Sequence, residues 1–352
     1  MKNINFKSVD ILENLKILAT DFGFIDCKIL DLQSLYFDEN FQKNAEISKK
    51  NFENLVEKIA QNALLNNGLH YLTAENTKQI RYDFSANLLL PNAKFLLIFA
   101  LPYVGKLQLQ KYLQNPPKVA LHAVGRDYHK IVRSKLKQFW NLCCQKFFDN
   151  SAANFRIFCD STPILEKFFA QICELGWLGK NNLITNKHYG NLFVIGGIIT
   201  TLELDKYIQN GIIKTPKFAK NHCGKCQKCI QNCPTQALQI DKNQRVQFLP
   251  ERCLAFYLNE FHGESAKIPP EIRSKINGKI YGCDDCISVC PFNRFVPSDE
   301  FISKDFADKF NQQNLQELLT WNENDFLKNT EGSGLRRLGF ARWRRNLLLS
   351  KK

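Results

Sequence analysis

Cys223-Gly-Lys-Cys226-Gln-Lys-Cys229-Ile-Gln-Asn-Cys233-Pro234, then a solitary Cys253, then Cys283-Asp-Asp-Cys286-Ile-Ser-Val-Cys290-Pro291, decides how this chain is read. The first group has the bacterial ferredoxin spacing, in which three cysteines wrap one iron–sulfur core and the fourth, before proline, serves the other cluster. By that crossing pattern Cys223, Cys226, Cys229 and Cys290 form one ligand set. Cys233, Cys283 and Cys286 belong to the second, whose expected first cysteine is replaced by Ile280. Cys253, between the groups, restores the count to eight. Two 4Fe-4S clusters are therefore expected, in a ferredoxin-like domain over residues 211–300. A pair of zinc sites is the alternative, because zinc also takes four thiolates. Proline after both terminal cysteines favours the clusters.

Two adjacent clusters deliver electrons without saying what receives them, and transfer alone needs far fewer residues. The segment ahead of the motif is therefore expected to hold the reacting site, as an α/β domain over residues 1–210. With 352 residues, 44% hydrophobic and 23% charged, the chain has the composition of a folded globular protein rather than a disordered or fibrous one. The apolar runs Phe95–Val104 and Leu192–Leu202 are too short to span a bilayer, and no signal core follows Met1, so a cytoplasmic protein without membrane insertion is expected. In a reducing compartment thirteen cysteines point to metal ligation rather than disulfides. Cys27, Cys143, Cys144, Cys159 and Cys173 lie at apolar or helical positions and read as small buried hydrophobes. The formal charge of +14 fits an anionic partner such as nucleic acid, or a solvated basic surface.

Along the chain, residues 9–27 read as an amphipathic helix closed by Gly23, and Phe52–Leu65 as a second helix. The continuous run Phe95–Leu101 suits a strand buried on both faces. Gly125-Arg-Asp127-Tyr-His129 leads into a helix carrying Ile131, Val132, Leu136 and Phe139, with His129 read as a surface or core-edge residue. A strand Phe155–Phe158 delivers Asp160 to its end, and Ser161-Thr162-Pro163 reads as the start of the next helix. Gly176-Trp-Leu-Gly179-Lys180-Asn181 has the glycines and lysine of a phosphate loop but neither its length nor its hydroxyl. Gly196-Gly197, inside the apolar Leu192–Leu202 strand, signals close backbone approach. Basic residues 206–220 mark the domain boundary. At the far end, residues 301–352 read as a helical tail carrying Arg336, Arg337, Arg342, Arg344, Arg345, Lys351 and Lys352, with no acid from residue 336 onward. It is read as a nucleic-acid contact or as a solvated face.

These motifs together resemble the epoxyqueuosine reductase family of cobalamin-dependent iron–sulfur enzymes that act on tRNA. The match runs through Gly125–His129, Asp160–Glu166, Gly176–Lys180, His222–Cys226, Cys233-Pro-Thr235, Tyr281–Cys286, Cys290–Asn293 and Gly332–Arg337, in order over nearly the whole chain. The resemblance implies an α+β protein in three parts: an α/β cobalamin-binding domain, a two-cluster ferredoxin-like domain and a short basic helical region in place of a longer helical-repeat tail. It implies a cobalamin reduced to its cobalt(I) state by electrons passed through the clusters from an external donor. The substrate would be the epoxide of epoxyqueuosine in a tRNA anticodon stem-loop, and the protein a monomer. Asp160 is the implied proton donor, against a plain helix-capping role. Arg81, Ala123, Asp160, Ile184, Ile195 and Asp284 are the implied corrin contacts. Ala255 and Leu258 stand where the family carries hydroxyl residues. A reductive dehalogenase-like corrinoid enzyme, or a non-catalytic electron carrier or RNA-binding module, is the rival reading.

Overall fold

The computed structural model describes residues 11–36, 89–115, 118–149, 152–162, 164–204, 207, 217–242 and 245–351. The expected Phe52–Leu65 helix, Arg81 and most of the basic linker lie outside them.

Helix α1 spans Ile11–Asp21, burying Leu15, Leu18 and Ala19. Its run ends earlier than the expected segment: Gly23 takes φ +83, and the chain enters strand β1, Asp26–Asp31. Strand β2, Phe95–Pro102, is buried at every position, which is why its sequence shows no alternation. Helix α2, Lys106–Gln114, and helix α3, Tyr128–Phe147, follow. Then come β3, Phe155–Phe158; α4, Glu166–Ile172; the two-residue strands β4, Trp177–Leu178, and β5, Ile184–Thr185; and β6, Phe193–Thr200. Helix α4 starts at Glu166, later than Thr162, with bends at residues 160–162 and 164 ahead of it; Pro163 lies outside the described residues.

Strands β1, β2, β6 and β3 lie side by side in that order, every pairing antiparallel. With its strands antiparallel, the described part of this unit is α+β rather than the expected α/β. One face packs on α1 and α3 through Leu97, Phe99, Ile198, Val132 and Phe139, the other on α4 through Leu96, Ile98, Phe168 and Phe169. The glycine pair marks a close approach. A Cβ on Gly197 would stand 2.1 Å from Phe158 Cζ, and one on Gly196 2.4 Å from Val132 Cγ1.

The cysteine-rich part contributes three one-turn helices, of which α5 (Lys228–Gln231) and α6 (Asp285–Ser288) carry cysteines and the third spans Pro270–Arg273, and the hairpin β7, Leu238–Ile240, with β8, Val246–Phe248. It is stitched to the sheet unit: Ala120 N–H donates to Tyr281 O at 2.9 Å, and Asn191 N–H to Asn293 Oδ1 at 2.9 Å. The tail comprises α7, Leu315–Thr320, α8, Glu323–Asn329, and α9, Gly339–Ser350. Trp343 and Leu347 of α9 pack with Phe310, Phe326, Val119 and Ile280, so the tail shares a core with both preceding parts.

Candidate active site

Two groups of cysteines and two neighbouring cavities define the site. Cys229 feels Cys223, Cys290 and Cys226 electrostatically, Cys283 and Cys286 feel Cys253, and Cys253 feels Cys233; Cys286 also feels Cys229, so the two groups of thiols lie beside each other. Burial is the leading influence on the thiols, raising Cys229 to about 11 and Cys283 and Cys286 well above the usual range. Such thiols ionise readily only with a cation or cluster to receive them. Protein N–H groups already face the sulfurs: Trp177 Nε1 donates to Cys223 Sγ at 3.3 Å and Ala237 N to Cys233 Sγ at 3.2 Å. Hydrogen bonds of this kind tune cluster potential. Lys180 braces the loop of the first four, donating to Gly224 O at 2.8 Å and Cys226 O at 2.9 Å. Among the described residues no three His, Cys, Asp or Glu side chains converge as closely as a single metal ion needs.

The second four, Cys233, Cys253, Cys283 and Cys286, line a cavity of about 390 Å³ whose opposite wall includes Tyr103, His122, Tyr128 and Val194. Asn181 and Asn191 line it, and Asn181 Nδ2 and Asn191 Oδ1 are buried without a hydrogen-bond partner in the protein. Asp284 also borders this cavity; its carboxylate accepts from Leu121 N–H at 2.8 Å, and burial raises its pKa. Ala123 borders the adjoining smaller cavity. Ile184 is in the apolar core, and Ile195 packs against that core; the neighbouring Leu183 and Val194 line the larger cavity in their place.

That smaller cavity, about 170 Å³, contains Asp160. Buried Cys159 follows β3, and Asp160 then turns at φ +50 with its side chain 60% exposed. A desolvated carboxylate is thus not what the structure presents. Its environment is set by a hydrogen-bonded chain instead. His129 Nε2 lies 2.9 Å from Asp160 Oδ2, and His129 Nδ1 lies 2.7 Å from Asp127 Oδ1. The other oxygen of Asp127 accepts from Arg337 at 2.9 Å. Asp127 also caps α3, accepting from His129 N–H at 3.1 Å, and Tyr128 stacks on the imidazole with ring centroids 4.0 Å apart. Burial works against a charged His129, but hydrogen bonds to Asp127 and Asp160 prevail and raise its pKa. Burial likewise opposes ionisation of Asp127, yet His129 and Arg337 hold that carboxyl well below the ordinary range. His129 is the functional residue that sequence reasoning passed over. The Asp-x-His spacing at a helix start was its only local signal.

The tail arginines divide. Arg337 belongs to this chain, Arg342 donates to the carbonyls of Leu338, Asn259 and Arg337, and Arg345 to those of Tyr257, Phe261 and Gly263. Arg336 and Arg344 are exposed. The nucleic-acid reading therefore rests on those two and on exposed Lys351, while Arg342 and Arg345 serve the fold.

A double-cluster electron-transfer module joined to an α+β unit, with a carboxylate–histidine cavity beside the cysteines, is the architecture of an iron–sulfur oxidoreductase. The family model described as "4Fe-4S double cluster binding domain" matches residues 222–293, and "Epoxyqueuosine reductase QueG, DUF1730" matches residues 84–161. Epoxyqueuosine reductase of Francisella cf. novicida is 36% identical over 294 residues, 80% of this chain and 74% of the relative. That of Vibrio cholerae is 38% identical over 236 residues, 67% of this chain and 59% of the relative. Among solved structures, epoxyqueuosine reductase from Streptococcus thermophilus superposes with a TM-score of 0.71 at 22% identity, covering 97% of this chain and 80% of that one. An epoxyqueuosine reductase with an epoxyqueuosine-modified tRNA-Tyr stem loop superposes at 0.70, with the same identity and coverage. These structures share the fold. The chain belongs to the epoxyqueuosine reductase family.

Proposed function

We propose that the protein reduces the epoxide of epoxyqueuosine in a tRNA anticodon stem-loop to the alkene of queuosine. The observation that carries this reading is the Arg337–Asp127–His129–Asp160 chain, which ends in the cavity adjoining the one lined by Cys233, Cys253, Cys283 and Cys286. Cys223, Cys226, Cys229 and Cys290 would hold one 4Fe-4S cluster, and the other four a second. Ala123, Asp160, Asp284 and the unpaired amides of Asn181 and Asn191 border the place for a corrin, with Arg81, Ile184 and Ile195 further contacts implied by the family. When bound, the clusters pass single electrons and the corrin supplies two-electron reducing power.

The chain's own residues manage the protons. With its Nδ1 proton directed at Asp127 Oδ1, 2.7 Å away, while Arg337 Nη2 stands 2.8 Å from the same nitrogen, His129 turns Nε2 to Asp160. The pair then has two states: imidazolium with carboxylate, or neutral imidazole accepting from the carboxylic acid. Asp160 can thus donate a proton to substrate and be reloaded from His129, although it is exposed. The catalytic loop swung out of the active site in a Bacillus subtilis epoxyqueuosine reductase carries an aspartate, as this loop does. Lys225 and Lys228, exposed on the loop of the first cysteine group, offer an external electron donor a basic approach, and Arg336 and Arg344 offer one to the tRNA phosphates. We assign residues 1–210 to substrate and corrin, 211–300 to the clusters and 301–352 to the basic tail.

Asp160→Asn in reconstituted enzyme tests the assignment. It should abolish conversion while leaving stem-loop affinity and cluster absorption in place. Conversion at the wild-type rate would remove Asp160 from the chemistry.

A further inference from the structure

The smaller cavity contains a second carboxyl. Glu260 lines it together with Asp160, His129, Tyr281 and Arg337. It is the last residue of a single π-turn, Phe256–Glu260, closed by Phe261 N–H donating to Phe256 O at 3.0 Å. Turns of this kind sit frequently at functional sites. This one is immobilised from outside: Arg342 Nη1 donates to Asn259 O at 2.9 Å, Asn346 Nδ2 to Leu258 O at 2.8 Å and Arg345 Nη2 to Tyr257 O at 2.8 Å. Asn259 Oδ1 in turn accepts from Gly282 N–H at 2.7 Å. The tail helix thus spends its arginines and a fully buried asparagine on fixing the backbone that presents Glu260.

The groups facing this carboxyl define its state. Burial is the leading influence and raises its pKa, the charge of Asp160 adds to that, and Arg342 and Arg337 oppose it. Tyr281, beside it, is pushed up to about 12 chiefly by its own burial and stays a neutral donor. A carboxyl that holds its proton more tightly than an exposed glutamate therefore lines the same cavity as the Asp160–His129 pair.

The stoichiometry of the proposed reaction needs such a group. Removing an epoxide oxygen breaks two C–O bonds, forms one C=C bond and consumes two electrons and two protons, releasing one water. The electrons come from a low-potential one-electron donor through the clusters. One proton goes to the oxygen as the ring opens, and the second as that oxygen departs. The relay described above ends in one carboxyl, which would have to be reloaded between the two transfers.

Resting on the reductase reading, we propose that Glu260 is the second proton-donating residue of this site, so that Asp160 and Glu260 each deliver one of the two protons. Glu260→Gln keeps size and hydrogen bonding but has no acidic proton. In single-turnover reactions with saturating stem-loop it should lower the rate about 100-fold. Stem-loop affinity should be unchanged and the dependence of rate on pH across neutrality altered, while Glu260→Asp should recover part of the rate. In protein without corrin, the infrared band of a protonated carboxyl at neutral pH should be present in wild type and absent in Glu260→Gln. An unchanged rate and pH profile overturns the proposal. So does weakened stem-loop binding with an unchanged rate, which would make Glu260 a recognition residue. Wild-type enzyme that forms no product sinks the reductase reading beneath it, whereas product from wild type with full activity in Glu260→Gln sinks this assignment alone.

Discussion

Asp127→Asn isolates the role of the buried carboxylate behind His129. Asparagine caps a helix as well as aspartate does, so α3 keeps its start and the stability change from the cap is close to zero. The electrostatic link is what is lost. Asp127 and His129 side chains are each only 9% exposed, and their 2.7 Å contact is charge-assisted when the imidazole is protonated. A bond of that kind contributes about 1.5–3 kcal/mol. Arg337 is 53% exposed, so its half of the arrangement adds only about 0.5 kcal/mol. If the bond is needed only while His129 carries the proton destined for Asp160, its loss slows turnover about 10- to 150-fold, at 1.36 kcal/mol per factor of ten. The assay is single-turnover conversion of an epoxyqueuosine stem-loop by reconstituted, pre-reduced protein, with stem-loop affinity and cluster absorption as controls. Wild-type turnover with an unshifted pH profile would refute the relay.

The same geometry fixes the sign of a stability effect. The pKa of His129 is raised on folding, so its stabilisation is complete below the unfolded value of about 6.5 and is lost as pH rises through the folded value. Thermal melts should show that decline in wild type and a flatter profile in His129→Gln. Cys253→Ser should halve the iron bound per chain and remove one cluster's spectroscopic signal; full iron content would show that Cys253 is no ligand. Arg345→Ala strips three carbonyls of a half-buried donor and should destabilise the protein by about 2–3 kcal/mol in denaturant titrations. Exposed Arg344→Ala should change stability by no more than about 0.5 kcal/mol while weakening stem-loop binding and reducing its salt dependence. Equal destabilisation by the two would contradict the division of the tail arginines.

The parts of the site legible in the sequence are those whose chemistry imposes local spacing. The cysteine spacing announced a double-cluster module, and the matching family model covers residues 222–293. An unbroken apolar run announced β2, and paired glycines announced the contact with Phe158 and Val132. What stayed hidden depends on distant pairing. The run into β1 reads as a continuation of α1, because only β2, more than sixty residues on, supplies its hydrogen bonds. His129 gains meaning only when Asp160 and Arg337, the latter 208 residues away, meet it. The carbonyl contacts of Arg342 and Arg345 were not legible, because carbonyl acceptors carry no sequence signature.

The central claim is tested most directly by one reaction: reconstituted, cobalamin-loaded protein, a strong one-electron reductant and an epoxyqueuosine-bearing anticodon stem-loop, with the modified nucleoside identified by mass. The account predicts queuosine, one oxygen lighter than the starting nucleoside, formed by wild type and not by Asp160→Asn. Unchanged epoxyqueuosine from wild type, with both clusters and the corrin verified in place, would contradict it.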